Sequence, residues 1–349
     1  MSRIHRSIKR VVLLISTLLV VITLLKTSVV RGLNVGSAAS IFRKAKANNI
    51  KAAVLVPGFL TGAEEFASLC DELGKCGLPT VAVPMPYWHW ISCLGGRSVR
   101  PMLERIDFTV KWLLASGGDI SKIPNFSYSA YDCFVDFRTN PGGILKVGGY
   151  DSPDDYRLIE PRGTFPLPDE SELPPNAKIA LIGHSAGGWI SRVYVSDRKY
   201  GGKVYGGRKY IHSLVTLGTP HLYAPGPAFE GIKWCNQEPV TSVRALAVGG
   251  TGFKGDEWGS LTQASYLFCA PDGFTDVATY TGDGITPIQS AVAMNGAEQM
   301  TLDQVTHFCW SEVFGSELIA PELTKDYKNG RPWYGSPGIV EKWAEWIVR

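Results

Sequence analysis

The segment from Lys178 to Ile190, KIALIGHSAGGWI, constrains the fold more than any other part of the chain. Its first residues form an apolar run typical of a short buried strand, and a helix-like sequence follows the glycines. Between them, residues 183–187 (GHSAG) fit the G-x-S-x-G pattern, in which a sharp strand-to-helix turn exposes a serine Oγ. Strand and helix meet closely at such a turn, so Gly183 and Gly187 leave the room it needs. The segment predicts a nucleophilic serine, Ser185.

The length and composition favour one large globular domain with insertions. The chain has 349 residues, of which 45% are hydrophobic and 19% charged. Its formal charge of +3 is unevenly distributed along the chain. Residues 1–63 hold ten Lys/Arg and no acid, while the remainder holds 25 Lys/Arg and 32 Asp/Glu. A mildly acidic body argues against nucleic-acid binding.

Residues 1–47 are predicted to be an N-terminal targeting or anchor leader outside the fold. Basic residues precede an apolar run at residues 11–25, which suits a signal-peptide core or an uncleaved membrane anchor. Residues 26–47 are basic and free of acid, as organelle transit peptides are. The predicted location is therefore open between a plastid and the endomembrane or secretory route, with membrane association through residues 11–25.

Residues 48–349 are predicted to form an α/β domain. Strand and helix patterns alternate: a strand at Ala52–Val56, a helix from Ala63 to Cys76, a strand at Thr80–Val83 and a helix at 101–115. Further patterns predict a helix from Ala186 to Arg198, strands at Ile211–Leu217 and Val277–Tyr280, a strand within Glu298–Val305 and a last helix at Ile339–Val348. This alternation predicts a mostly parallel sheet with helices on both faces.

Two segments lack such periodicity, at about 117–176 and 222–275. Both are longer than ordinary connections between elements. We predict that they are irregular insertions, and their place in the fold is open at this stage.

A serine becomes a good nucleophile when a positioned base removes its proton and a carboxylate orients that base. Where such a serine lies on a sharp strand-to-helix turn, the acid follows it in the chain and the histidine comes last. Asp283, between two glycines, and His307 meet this order. Asp272 and Asp276 are alternative acids, and Asp303 is expected within the strand that leads to His307.

The other histidines fit the role of base less well. The side chain of His184 is expected to point away from Ser185 Oγ, and His221 comes too early in the chain. His5 falls in the leader, while His89 and His212 have no acid placed to serve them.

A tetrahedral intermediate also needs hydrogen-bond donors aimed at its oxyanion. The backbone N–H of Ala186, directly after the serine, is the first candidate. The second is the N–H of Phe59 in the loop after the first strand, with Leu60 as the next choice, because Pro57 has no N–H.

The seven cysteines show no C-x2-C spacing, so no zinc module is predicted. No other metal site or cofactor is indicated. Cys70 and Cys76 either form a disulfide in an oxidising compartment or remain buried free thiols.

Four motifs and a late histidine carry a resemblance to a known family: V-P-G-F, G-H-S-A-G-G-W, L-G-T-P-H and G-D-G-I-T-P. Over roughly residues 50–310 the chain resembles the lipase-type α/β-hydrolases, in particular the PGAP1-like and lecithin:cholesterol-acyltransferase-like branch with plant and algal members. The resemblance implies an α/β-hydrolase fold with an eight-stranded type of sheet. It also implies ester hydrolysis, often of lipids, with no metal in the chemical step. One departure is Pro57-Gly58, where many lipases have His-Gly.

The expected function is therefore that of a serine esterase or lipase-type hydrolase with an ester, in particular a lipid ester, as substrate. Aromatic residues in the connecting segments suit an apolar cleft, or they pack the insertions onto the core. An acyltransferase would use the same three residues and pass the acyl group to an alcohol. A non-enzymatic lipid-binding module is the remaining alternative.

Overall fold

The computed structural model describes residues 44–85, 90, 99–124, 167–200, 203–271, 276–313 and 315–349. Most of the predicted leader, most of the first predicted insertion, His5, His89 and Asp272 lie outside these ranges. No helix within them is long and apolar enough to span a membrane. The predicted apolar segment at residues 11–25 is also outside them, so its membrane association stays a prediction.

A parallel sheet of six strands forms the centre of the described fold. The strands in chain order are β1 (Ile50–Val56), β2 (Thr80–Ala82), β3 (Lys178–His184), β4 (Ile211–Leu217), β5 (Arg244–Gly250), β6 (Phe253–Lys254), β7 (Thr281–Gly282) and β8 (Glu298–Leu302). The central sheet has the order β2-β1-β3-β4-β5-β8, and every neighbouring pair in it is parallel. The short strands β6 and β7 pair antiparallel outside it.

Nine α-helices have both ends within the described ranges. They are α1 (Ala67–Lys75), α2 (Arg100–Ala115), α3 (Ala186–Val195), α4 (Glu230–Cys235), α5 (Leu261–Phe268), α6 (Ile288–Ala291), α7 (Ser316–Ile319), α8 (Pro321–Lys328) and α9 (Val340–Ile347).

The two faces of the sheet bury separate apolar cores because side chains alternate along each strand. In β1, Val54 and Val56 pack in one cluster with residues of α2 and α3, whereas Ala53 and Leu55 pack in the other with residues of α1 and α9. A strand that is apolar on both faces is typical of a parallel sheet covered by helices on both sides. The prediction of an α/β sheet with helices on both faces is confirmed.

The prediction of irregular structure throughout 222–275 is wrong, because β5 lies in this segment. β5 pairs with β4 on one side and β8 on the other, in the interior of the sheet. Its sequence, RALAVGG, is rich in alanine and glycine and has few of the branched residues that mark a strand. Neighbouring strands rather than local propensity determine its conformation.

The described sheet has six strands, and the implied eight-stranded type stays a prediction. The structure also corrects three smaller expectations. Residues Val277–Thr279 form a 3-10 turn, and only Thr281–Gly282 is a strand, outside the central sheet. Helix α3 ends at Val195 because Ser196 is extended. A 3-10 turn at Glu64–Phe66 precedes α1, where the sequence predicted a continuous helix.

The folded body begins before residue 48, so the predicted leader boundary is too late. Ala45 is buried in the core beneath α9. Lys44 Nζ lies 3.2 Å from Glu345 Oε1, and Asn48 Nδ2 donates to Val348 O at 2.9 Å. These contacts hold residues 44–48 against the C-terminal helix.

Candidate active site

Ser185 lies on the sharp turn between β3 and α3. Its backbone has φ 50° and ψ −129°, a conformation that residues other than glycine rarely adopt. The Ser185 N–H donates to Leu217 O at 2.8 Å, and the Gly188 N–H donates to Ser185 O at 3.0 Å. Strained backbone of this kind persists only where the surrounding structure enforces it, and it is concentrated at functional sites.

The glycines on either side of Ser185 are explained by close backbone contacts. A Cβ at Gly183 would overlap Gly188 Cα, and a Cβ at Gly187 would overlap Val56 O. The turn therefore brings α3 against both β3 and the end of β1. A side chain at either glycine would push the helix off the sheet.

Asp283 lies directly after β7, and four hydrogen-bond donors surround its carboxylate. Oδ1 accepts from the N–H groups of Ile285 at 3.0 Å and Thr286 at 2.7 Å. Oδ2 lies 2.7 Å from His307 Nδ1 and accepts from the Tyr334 hydroxyl at 2.8 Å. Because all four partners are donors, the arrangement suits an ionised carboxylate.

His307 follows β8 and is fully buried beside Asp283. Its N–H donates to Asp283 O at 3.0 Å, and its ring Nδ1 donates to Asp283 Oδ2. The acid therefore selects the tautomer with the proton on Nδ1, and Nε2 has no hydrogen-bond partner among the described residues. An imidazole held in this way can act as a base through Nε2.

The end of β4 connects Ser185 to the acid and the histidine. Leu217 O accepts from the Ser185 N–H, and the next residue, Gly218, has a φ of 58°. A Cβ at Gly218 would lie 2.5 Å from Asp283 Oδ2 and 2.9 Å from His307 Nδ1. Leu217 and Gly218 therefore connect the backbone of Ser185 to the Asp283–His307 pair at the carboxyl end of the sheet.

The loop after β1 approaches the serine closely. A Cβ at Gly58 would lie 2.7 Å from Ser185 Cβ, so only glycine fits there. Thr61 N–H donates to Gly58 O at 3.1 Å, and Leu60 has a φ of 59°. The N–H groups of Phe59 and of Ala186 donate to no other described residue. Both therefore remain candidates for an oxyanion site.

Part of the chain is similar to a known protein family. The model of a family described as the PGAP1-like alpha/beta domain matches residues 157–238, less than half of the chain. This match covers β3, Ser185 and β4. Because the match covers less than half of the chain, membership of the lipase-type α/β-hydrolases stays a prediction. The plant and algal branch stays a prediction.

Among solved structures, the crystal structure of a metagenomic carboxyl esterase is similar to this chain. The two chains are 14% identical, with a TM-score of 0.45 over 92% of this chain and 79% of the esterase. No curated protein matches the sequence.

Of the other acids considered, Asp276 and Asp303 are described by the structure, and neither is hydrogen-bonded to His307. Asp276 is exposed beside a 3-10 turn. Asp303 lies one residue after β8, is exposed, and accepts from the Thr251 hydroxyl at 2.9 Å. Of the acids that the structure describes, Asp283 is the one bonded to His307.

His184 and His221 are buried and serve other contacts. His184 Nε2 donates to His307 O at 2.9 Å, so its ring supports the backbone of the predicted base. The His221 ring lies 3.3 Å from Arg192 Nη1 and 3.0 Å from the Thr216 hydroxyl. Burial, and then the nearby His307, lowers the pKa of His184 well below its usual value. Burial and the Arg192 charge do the same to the pKa of His221.

The burial of these two histidines predicts that the protein loses stability in mild acid. Their folded pKa values lie below the unfolded value of about 6.5, so the unfolded chain binds more protons below that pH. The free energy of unfolding should be level above pH 7. It should then fall, by up to about 1.4 kcal/mol per pH unit for each histidine, as the pH drops below about 6.5.

Urea unfolding at pH values from 8 down to 5 measures this dependence. The His221→Gln variant should show a shallower slope in the same window because one of the two groups no longer titrates. A stability that stays level down to pH 5 would contradict the assignment of neutral buried histidines.

Cysteine chemistry and a metal site receive no support from the described residues. Cys70 and Cys76 are free thiols, and burial raises their pKa values to about 12 and about 11. Such thiols are poor nucleophiles at neutral pH. No group of three His, Cys, Asp or Glu in the described ranges is placed to hold a metal ion.

Two aromatic residues contact the site in ways that the sequence did not predict. Tyr334 bonds Asp283, as described above, yet its segment (RPWYGSPG) carries no recognisable motif. Trp90 is buried, its Nε1 donates to Thr61 O at 3.1 Å, and its ring stacks edge-on against Phe59 at 5.7 Å. Trp90 therefore braces the loop after β1, a role that no spacing in the sequence indicates.

Proposed function

We propose that this protein is a serine hydrolase that cleaves carboxylic esters through Ser185, His307 and Asp283. The observation that carries the proposal is the fully buried hydrogen bond of 2.7 Å between His307 Nδ1 and Asp283 Oδ2. It lies beside a serine held on a strained turn. A base oriented by an acid is the arrangement that activates a serine hydroxyl.

In the proposed reaction, His307 Nε2 takes the proton of Ser185 Oγ as that oxygen attacks the ester carbonyl carbon. The tetrahedral intermediate collapses, the C–O bond to the alcohol breaks, and the alcohol leaves with the proton from His307. Water then gives a proton to His307 and attacks the acyl-enzyme carbonyl. The bond between the acyl carbon and Ser185 Oγ breaks, His307 returns the proton to Oγ, and the carboxylic acid leaves. Asp283 stays ionised and stabilises the protonated imidazole throughout.

The developing oxyanion would be bound by the N–H groups of Ala186 and Phe59. The position of Gly58 against Ser185 supports this choice, because it brings the loop after β1 to the serine. Backbone donors held in this way stabilise the negative charge of the intermediate without moving.

We further propose that the substrates are lipid esters. Aromatic rings near the predicted base support an apolar acyl group: Phe308 lies 4.5 Å from His307 between ring centroids. The half-buried side chains of Phe59 and Leu60 add apolar surface next to the loop that approaches Ser185. The predicted apolar segment at residues 11–25 would keep the enzyme near membranes where such esters occur.

A fluorophosphonate probe tests the proposal directly, because it reacts with activated serines. We expect one equivalent of label on the wild type, on the peptide that contains Ser185, with no label on buried Ser191 of the same helix. A folded wild-type protein that takes up no label would contradict the proposal.

An ester panel from acetyl to palmitoyl chains then tests the lipid class. Hydrolysis confined to the shortest esters would contradict that part alone and leave the serine hydrolase intact.

A further inference from the structure

Tyr334 is fully buried between α8 and α9, next to the predicted acid. The indole Nε1 of Trp343 donates to Tyr334 O at 3.0 Å, which ties its backbone to α9. Its ring belongs to the apolar core that also contains Trp333 and Trp343. Its backbone and its ring are therefore both held in place.

The hydroxyl of Tyr334 has one donor and one acceptor role, and both are used. It accepts from the Gly250 N–H at 2.7 Å, and it lies 2.8 Å from Asp283 Oδ2. Because Gly250 N can only donate, the single phenolic proton points to Asp283. The bond is thus directed from the tyrosine to the carboxylate.

We propose that Tyr334 is a positioning residue. It holds the Asp283 carboxylate in hydrogen-bonding position toward His307 and disperses the negative charge of that carboxylate. This inference rests on the proposed function, because it concerns the same pair. Oδ2 accepts two hydrogen bonds, one from Tyr334 and one from His307, so the carboxylate cannot rotate without breaking both. The second donor also limits how strongly Oδ2 attracts the imidazolium of His307.

The neighbouring groups support this role. Burial and then the charge of Asp283 raise the pKa of Tyr334 well above its usual value, so the phenol remains a donor at neutral pH. Gly218 and Gly250 approach the same carboxylate, and a Cβ at Gly250 would lie 2.9 Å from Asp283 Cβ. The backbone at Gly250 therefore lies against both Asp283 and the Tyr334 hydroxyl.

The test is Tyr334→Phe in the full chain, with the pH dependence of kcat/KM as the main measurement. Loss of the donor should lower kcat about 10-fold or more with KM unchanged, because the phenol touches no substrate. The charge on Oδ2 would then act undiluted on the imidazolium. The acidic limb of the profile should therefore move up by about one pH unit.

Tyr266→Phe is a matched control. The Tyr266 hydroxyl also makes two buried hydrogen bonds, accepting from the Gly284 N–H and donating to Phe253 O, each at 3.1 Å. It lies beside the same turn but makes no hydrogen bond to the carboxylate. We expect a similar loss of melting temperature in both variants and a displaced acidic limb only in Tyr334→Phe.

A difluorinated tyrosine at position 334 tests the opposite change in case the phenylalanine variant does not fold. Its more acidic hydroxyl is a stronger donor of nearly the same shape, so the acidic limb should move to lower pH. Limbs that stay in place in both variants, or that move equally in Tyr266→Phe, would overturn the proposal.

NMR titration of the His307 ring separates this proposal from the proposed function. The ring resonances should titrate at higher pH in Tyr334→Phe than in the wild type, whether or not the protein hydrolyses any ester. An unchanged titration would overturn the role of Tyr334. Absence of probe labelling with a shifted titration would overturn the esterase function alone.

Discussion

Replacing Ser185 with alanine is expected to lower ester hydrolysis by at least about 10,000-fold, the largest effect predicted for this protein. The change removes only the hydroxyl oxygen. The φ of 50° at residue 185 must still be adopted, and alanine carries the same Cβ that serine does. The fold should therefore be retained while the nucleophile is lost.

Ser213→Ala is the matched control for this variant. Ser213 is fully buried in β4, and its Oγ has no hydrogen-bond partner among the described residues. Its removal should leave the rate within about threefold of the wild type, as for a substitution that breaks no interaction. Equal rates for Ser185→Ala and the wild type, with both proteins folded, would exclude Ser185 as the nucleophile.

Asp283→Asn is expected to lower kcat by about 10,000-fold, as a wrong histidine tautomer does in serine proteases. Two backbone N–H groups, from Ile285 and Thr286, require the amide oxygen on the Oδ1 side. The amide nitrogen then faces His307 Nδ1 and donates to it. The imidazole proton must move to Nε2, which leaves no base for Ser185.

Rate measurements across pH on Asp283→Asn and Asp303→Asn check this result. Asp303 is the exposed acid that bonds Thr251, so its amide variant should behave as the wild type. Comparable losses in the two variants would show that the effect is not specific to the acid beside His307. A fully active Asp283→Asn would remove this acid from the mechanism.

Local patterns in the sequence were sufficient for the elements nearest the serine. The apolar run Ile211–Leu217 coincides with β4, and the elbow strand with its following helix was located to within three residues. These segments are buried on both faces, so their apolar runs are long and unambiguous. The need for glycine at residues 183 and 187 was likewise predictable, because the contacts that exclude a side chain lie within the turn or at the end of β1.

Strand β5 and the loop that carries Asp283 were not evident from local sequence patterns. β5 is built of small residues and takes its conformation from β4 and β8, which are distant in the chain. The acid follows a two-residue strand paired with β6 rather than a strand of the central sheet. No local pattern distinguishes such a short antiparallel pair from an irregular loop.

The sequence alone determined that residue 185 is a serine on a strained strand-to-helix turn, because short-range steric contacts make that turn and its glycines recognisable. Only the tertiary structure decided which acid meets which histidine. Asp283 and His307 come together through β5, β8 and the segment that follows α8. Tyr334 and Trp90 became visible for the same reason: their contacts join residues far apart in the chain, and no spacing within the sequence encodes such a distance.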